Sequence, residues 1–150
     1  KPEYSKYESR KYEPKAIAKV ELNTATEEEL MSIQGIGAFF AKNIVKHRDA
    51  LGGFRDLEQL LEIWKFDEEK LNSIIPYITI DHTLVVKINI NTATAEALKL
   101  HPYIRTWNVA NSIVKLRTQM GSYKKLEDLK KSVLVTDELF EKLSPYLTTE

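Results

Sequence analysis

Cysteine is absent from the 150 residues, and glycine and proline occur only five times each. Without cysteine the chain can form neither a disulfide bond nor a thiolate nucleophile. No apolar run approaches the roughly 18 residues that cross a membrane, and the start shows no signal-peptide pattern. Because the chain opens with Lys1, we expect a piece of a longer protein that carries any targeting or anchoring segment elsewhere.

A net charge is also missing, since 22 basic residues balance 22 acidic ones. This balance argues against a dominant electrostatic attraction to nucleic acid. The charges are unevenly placed, however: residues 1–19 carry +3, residues 20–82 carry −6 and residues 83–150 carry +3. The C-terminal half is therefore predicted to be the most basic folded part.

Recognisable catalytic patterns are absent too. His47, His82 and His101 have no metal-ligand spacing with one another, and the chain contains neither a G-x-S-x-G motif nor a Gly-rich nucleotide loop. We therefore expect no metal, no cofactor and no small-molecule substrate, and we expect that the chain is not an enzyme.

An internal repeat organises the rest of the chain. The stretch "LNTATEEEL" from Leu22 matches "INTATAEAL" from Ile90, an offset of 68 residues, whereas the match that begins at Ala41 and Ala110 has an offset of 69. Residues 41–80 and 110–149 are identical at thirteen of forty positions. The offset of 68–69 residues is too long for a short solenoid repeat. Two copies of a small domain are predicted, over 20–82 and 83–150, after a polar linker over 1–19.

Each copy is predicted to be helical. Thr26 and Glu29 form a capping box before a short helix that ends near Ile33, and a second helix runs from about Ala38 to Ala50. Further helices follow "FRD" and "WKFD", whose aspartates are candidate caps, and the second copy repeats the plan. The fold class is therefore all-α, with a short strand allowed at 84–90 by its β-branched residues.

The turn "QGIG" at 34–37 has a specific physical use. The first N–H groups of a helix have no partner within it, and the helix dipole adds partial positive charge there. Glycine lets backbone approach an oxygen ligand closely, so a phosphate could bind at the start of the second helix. Lys42 and Lys46 could reach flanking phosphates, and Asn43 could add a hydrogen bond. The alternative is a tight turn between two helices, with both lysines simply solvated.

The pattern formed by Leu30, Ile33, Gly35–Gly37 and Ala41 resembles the helix-hairpin-helix DNA-binding motif. The wider stretch, "NTATEEELMSIQGIG…AKNIVKHR…GGFRDLEQLLEI…IIPYI", resembles the ComEA family of competence proteins. The resemblance implies two tandem SAM-like, ComEA-like helical domains. It further implies binding of double-stranded DNA through phosphate contacts without sequence preference, a role in DNA uptake, and a full-length protein that is membrane-anchored or extracytoplasmic.

The chain departs from this pattern at three of its four expected hairpins. "WKFD" at 64–67, "HPYIRTW" at 101–107 and "VLVT" at 133–136 lack the glycines. We expect Tyr103 and Arg105 to occupy the glycine positions of the second copy, so that this copy keeps the fold and loses the phosphate site. The alternative function is therefore a structural or protein-interaction module without DNA binding.

Two further features have competing interpretations. "SYKKLEDLKK" is either a solvated face or a second basic surface. Trp64, Phe66, Tyr103 and Trp107 are expected to fill the small cores or the interface between the copies, and the alternative is an exposed aromatic patch for a protein partner. The candidate DNA-binding residues are Gln34, Gly35, Ile36, Gly37, Lys42, Asn43, Lys46, Lys124 and Lys125.

Overall fold

The computed structural model describes residues 18–150, so most of the linker predicted for 1–19 lies outside the described part. The α-helices of this part are α1 (Glu27–Met31), α2 (Ala38–Leu51), α3 (Glu68–Ile74), α4 (Ala95–Lys99), α5 (Trp107–Met120) and α6 (Asp137–Leu143). Short 3-10 helices cover Leu57–Glu62, Ile75–Tyr77, His82–Leu84, Leu126–Lys131 and Ser144–Tyr146. The all-α prediction is confirmed, and the predicted third helix of each copy is a 3-10 helix.

Two pairs of very short parallel strands were not predicted. β1 (Val20–Glu21) pairs with β2 (Ile78–Thr79), and β3 (Ile88–Asn89) pairs with β4 (Leu147–Thr148). Each pair joins the first and last residues of one copy. The strand allowed at 84–90 is real but spans only two residues, because the preceding segment turns through a 3-10 helix.

The repeated "NTAT" stretch closes each copy through its asparagine. The Asn23 amide donates to the carbonyls of Phe54 at 2.9 Å and Asp81 at 3.0 Å, and its oxygen accepts from Phe54 N–H at 2.7 Å. Asn91 makes the same three bonds to Tyr123 and Thr149, at 2.9, 3.0 and 2.7 Å. One asparagine side chain thereby ties the start, the middle and the end of each copy together.

The repeated arginine near the end of the long helix has a matching structural role. Arg48 donates from Nη1 to the carbonyls of Leu22 and Ala25, at 3.1 and 2.6 Å. Arg117 donates in the same way to Ile90 and Ala93, at 2.9 and 2.8 Å. These identities between the copies therefore satisfy buried backbone carbonyls.

Each copy has its own hydrophobic core, and one tyrosine crosses between them. Tyr146 of the second copy is 1% exposed and belongs to the core of the first. Its hydroxyl donates to the Gly53 carbonyl at 2.8 Å and accepts from the Gln59 amide at 2.7 Å. Gln59 also donates to the Tyr103 hydroxyl at 2.9 Å, which in turn donates to the Glu62 carboxylate. The interface between the copies is thus a connected polar network around buried side chains.

His101 anchors the same interface and is only 2% exposed. Its Nε2 lies 3.0 Å from the Leu51 carbonyl, so Nε2 carries the proton, and Nδ1 accepts from Tyr103 N–H at 3.1 Å. Both ring nitrogens are therefore satisfied only in the neutral form. Burial lowers the pKa of His101 to about 4.

Acidification is expected to destabilise the protein through His101. The unfolded state binds this proton near the ordinary pKa of about 6.5 and the folded state only near 4, so stability is complete above the higher value and falls as the pH drops between them. The expected loss between pH 7 and pH 4.5 is on the order of 2 kcal/mol. Urea unfolding at the two pH values measures it. His101→Gln should reduce the change in unfolding free energy with pH, whereas His82→Gln, at an exposed site, should behave like the parent protein. The same change with pH in the parent and both variants would refute this role of His101.

The two helix-ending glycines offer a matched stability test. Gly52 and Gly121 end α2 and α5 with φ of +95° and +86°. A Cβ on Gly52 would lie 2.5 Å from the Val86 carbonyl oxygen, whereas one on Gly121 would meet nothing within 4 Å. Gly121, with ψ of −41°, lies outside the left-handed region, so Gly121→Ala should cost a backbone strain of about 1–3 kcal/mol. Gly52→Ala should cost more, because its Cβ would also clash with the backbone of Val86. Urea unfolding of both variants would show equal losses if the backbone at Val86 did not pack on Gly52.

Candidate nucleic-acid interface

Four turns of the molecule share one hydrogen bond. We call them hairpin A (33–37), hairpin B (63–67), hairpin C (101–106) and hairpin D (132–136). In each, the first residue accepts from the N–H three positions later, at 3.1 Å in A, 3.0 Å in B, 3.0 Å in C and 3.1 Å in D. The residue that donates this bond is buried in every case. The helix-hairpin-helix plan is thus present four times, whatever the sequence of the turn.

Hairpins A and B follow the same backbone path. Gly35 and Lys65 occupy the same position, with φ of +96° and +64°. Lysine rarely adopts this conformation because its Cβ crowds the backbone. Hairpin B therefore keeps the geometry that a glycine would favour although its sequence has lost the glycine.

Hairpin C contains the one residue gained between the copies. Tyr103 lies where hairpin A has Gly35, and Thr106 lies where hairpin A has Gly37. Arg105 is the inserted residue, with φ of +60°. The expectation that Arg105 occupies a glycine position is therefore wrong. His101 and Tyr103 of this hairpin bond to the first copy, so hairpin C serves the interface between the copies.

The six helix starts differ in how their N–H groups are satisfied. Five N-cap side chains accept a bond from the helix, namely those of Thr26, Asp67, Thr94, Thr106 and Thr136. The N-cap of helix α2 is Gly37, which has no side chain to accept such a bond. Among the described residues α2 is therefore the one α-helix whose start has no side-chain cap. An anion with oxygen acceptors matches these N–H groups in hydrogen bonding and in charge.

The residues predicted around hairpin A lie as follows. Gln34, Gly35 and Gly37 are exposed. Ile36 is 4% exposed and its N–H is already bonded to the Ile33 carbonyl, so Ile36 holds the turn and offers nothing to a ligand.

Helix α2 carries the predicted polar contacts. Lys42 and Lys46 are exposed one turn apart, as expected. Asn43 is half-buried, and its amide donates back to the Phe39 carbonyl at 2.7 Å. One of its donors is thus used within the helix. Lys42 and Lys46 therefore remain the exposed lysines of α2 that follow hairpin A.

A further cation at hairpin A was not predicted. The Lys70 ammonium of α3 donates to the Gly35 carbonyl at 2.9 Å and lies 4.5 Å from the centre of the Phe40 ring. Lys70 and Gly35 are 35 residues apart in the sequence, so no local pattern predicts that they are in contact. Lys70 therefore adds a positive charge at the turn itself.

Lys124 and Lys125 lie elsewhere. Both are exposed and follow Gly121, which ends α5, whereas hairpin C precedes the start of that helix. A helix of this length separates its ends by about 20 Å. Nearby, Lys131 pairs with Asp128 and Lys130 with Asp137, both at 3.5 Å. The structure therefore does not join Lys124 and Lys125 to hairpin C.

The aromatic residues divide into two groups. Phe66 is 4% exposed and Tyr103 is half-buried, so these two do fill the first core and the interface. Trp64 is 71% exposed and Trp107 is 47% exposed. The expectation that all four are buried is therefore wrong for the tryptophans. Trp64 lies in the turn of hairpin B, and Trp107 is the first residue of α5.

The described residues contain no group of three or more histidine, aspartate or glutamate side chains arranged to hold a metal ion. Within the same part of the chain, no helix combines the length and the apolar character required to cross a membrane.

The turn geometry and the repeat define a tandem helix-hairpin-helix protein. The chain belongs to the helix-hairpin-helix family, whose model matches residues 15–79 and 85–148. This motif supports nucleic-acid binding in general. The resemblance to competence proteins stays a prediction, because the relatives named below do not carry such a name. No solved structure matches the chain.

Curated relatives place this region in larger proteins. The chain is 32% identical over 143 residues to "Endonuclease/exonuclease/phosphatase family domain-containing protein 1" of Danio rerio, and 29% identical over 146 residues to the Xenopus laevis protein of that name. Each match covers 83% of this chain and 26% of the relative. A segment of 46 residues is 48% identical to an uncharacterised protein of Haemophilus influenzae, covering 30% of this chain and 41% of that protein. The chain thus spans about a quarter of the vertebrate relatives.

Filling the open start of α2 is expected to stabilise the protein. Gly37 has φ −89° and ψ −176°, an extended conformation open to any residue, and an added Cβ meets no atom within 4 Å. In Gly37→Asp the carboxylate can accept from the free N–H groups and favour the helix dipole, with a gain of about 0.5 kcal/mol. Thermal unfolding measures the change, with Ser122→Asp as a control of equal charge. A lower Tm than that control would show that the helix start is not open.

Proposed function

We propose that this chain binds double-stranded DNA through its phosphate backbone at hairpin A, without sequence preference. The observation that carries the proposal is the uncapped start of α2 behind Gly35 and Gly37. A phosphate oxygen supplies there the acceptor that threonine or aspartate supplies at the other helix starts. The family match supports the proposal, because the helix-hairpin-helix model covers this hairpin.

The charges near hairpin A fit a small phosphate site. Lys42 and Lys46 flank it along α2, and Lys70 adds its ammonium at the turn. Hairpin B has Asp67 as its cap, whose carboxylate already accepts from the helix at 2.8 Å and repels an anion. DNA binding is therefore proposed for hairpin A, and because these groups reach only phosphates, they carry no information about base sequence.

We propose further that this chain is a binding segment and not a catalytic one. The vertebrate relatives are named for an endonuclease/exonuclease/phosphatase family domain, and the chain matches only about a quarter of their length. Each described buried polar side-chain atom has a hydrogen-bond partner, and those of His101, Tyr103 and Tyr146 serve the interface between the copies. The DNA-uptake role implied by the competence resemblance draws no support from these names.

A protein-interaction module is the second candidate function. Val133 and Leu134 at the tip of hairpin D are 94% and 47% exposed, and Leu100 before hairpin C is 77% exposed. Apolar side chains at these tips cannot bind phosphate and are suited to a protein surface. This alternative predicts that the isolated chain does not bind DNA.

Salt dependence is the direct test. Fluorescence anisotropy of a labelled duplex of about 20 base pairs should show binding that weakens about 40-fold between 50 and 200 mM salt if three phosphates are neutralised. Gly37→Asp should weaken binding at least tenfold while remaining folded, whereas Ser122→Asp, with the same added charge, should bind like the parent. The absence of binding at the lower salt concentration would reject the proposal and favour the protein-interaction module.

A further inference from the structure

We propose that Phe39 and Trp64 form a stacking platform for unpaired nucleobases beside hairpin A, so that the preferred ligand is DNA with a single-stranded portion. This inference rests on the proposed function and deepens it. Trp64 at the tip of hairpin B is 71% exposed, and Phe39 in the first turn of α2 is 50% exposed. Their ring centroids lie 6.2 Å apart at an interplanar angle of 66°.

The platform is held in place by aromatic rings beneath it. Phe39 contacts Phe40 edge to face with centroids 5.2 Å apart, and Phe40 contacts Phe66 in the same way at 5.5 Å. Phe66 is buried, as expected, and Phe40 packs against the core, so these inner rings fix the position of the outer ones. The two outer rings bury little surface in folding and remain available to a ligand with a π face.

The platform adjoins the proposed phosphate site. Phe39 is the second residue of α2, so its ring projects from the same turn whose N–H groups lack a side-chain cap. On the other side of Trp64 lies a groove of about 230 Å³, whose polar lining consists of Asn43, Lys46, His47 and the Glu62 carboxylate. A nucleotide presents an anionic phosphate and a flat base, and this surface offers a partner for each within adjacent turns of the chain.

The shape of the platform favours unpaired bases. In duplex DNA the bases show only their edges in the grooves, so away from the duplex ends an aromatic ring stacks readily only on a base that has left the stack. Such stacking accepts every base, in agreement with phosphate contacts that read no sequence. The Lys65 ammonium lies over one face of the Trp64 ring, 4.5 Å from its centre, so a base that stacks on that face would displace the ammonium toward a phosphate. Continuity with the lysines and the open helix start favours nucleic acid over a protein as the occupant.

Tryptophan fluorescence gives a direct readout, because the chain contains only Trp64 and Trp107. In the Trp107→Phe variant, emission comes from Trp64 alone. A duplex of about 20 base pairs with a single-stranded extension should quench this emission and bind about tenfold more tightly than the blunt duplex. Trp64→Ala should remove the preference, Trp64→Phe should retain part of it, and Val133→Ala, at an exposed position of hairpin D, serves as the control.

The outcomes separate the two proposals. Salt-dependent binding of both DNAs with equal affinity and unchanged Trp64 emission would overturn the stacking platform and leave the proposed function standing. Binding of neither DNA at low salt would overturn both, and the exposed rings would then belong to a protein contact. Preference for the extended duplex that disappears in Trp64→Ala, together with quenching, is the expected result.

Discussion

The start of a helix leaves backbone N–H groups that the helix itself cannot satisfy, and this constraint shapes every candidate site in the molecule. In the second copy the hydroxyls of Thr106 and Thr136 each accept from one of these N–H groups, and in hairpin B the Asp67 carboxylate accepts from one. Each of these side chains supplies from within the protein the acceptor that a phosphate would otherwise supply. Helix α2, whose N-cap is Gly37, has no such internal acceptor. The turns of the four hairpins share the same backbone hydrogen bond. The hairpins differ in whether an N-cap side chain accepts from the first turn of the following helix.

The loss of glycine from hairpin C has a positive structural explanation. At the positions of Ile33 and Gly35 this hairpin has His101 and Tyr103, which bond to Leu51 and Glu62 of the first copy. A buried neutral imidazole and a phenol provide directional contacts that a glycine turn cannot make. Hairpin C thus contributes to holding the two copies together. Hairpin A, in contrast, precedes the helix start that has no side-chain cap. The two copies therefore differ because hairpin C lies in the interface between them.

Periodicity and end signals within the sequence were sufficient for the helices. Thr26 and Asp67 cap the helices as expected, and α2 ends one residue beyond the predicted Ala50. Three of the four strands, and the parallel pairing of all four, escaped prediction because strands of two residues have no periodicity. Lys70 and the exposure of Trp64 escaped because both depend on how hairpins A and B lie together, which is a matter of contacts over long sequence separations. Sequence reasoning therefore located the hairpin at the candidate site but not the side chains that the other half of the same domain brings to it.

Zero net charge is a weaker argument against DNA binding than the sequence suggests. Exposed charges are screened over about 8 Å at physiological ionic strength, so a phosphate at hairpin A responds to its immediate surroundings. These include the free N–H groups of α2 and the ammonium of Lys70 at the Gly35 carbonyl. The acidic first turns of α1 and of α3, the latter with Glu68 and Glu69 beside Lys70, oppose this positive charge, so the site depends on the groups at the turn itself. A chain with balanced total charge can thus present a locally positive phosphate site, and the few cations at that site imply modest affinity. With so few phosphate contacts, the energy of stacked bases would be a large share of the total, which is why the exposed rings beside hairpin A bear on function.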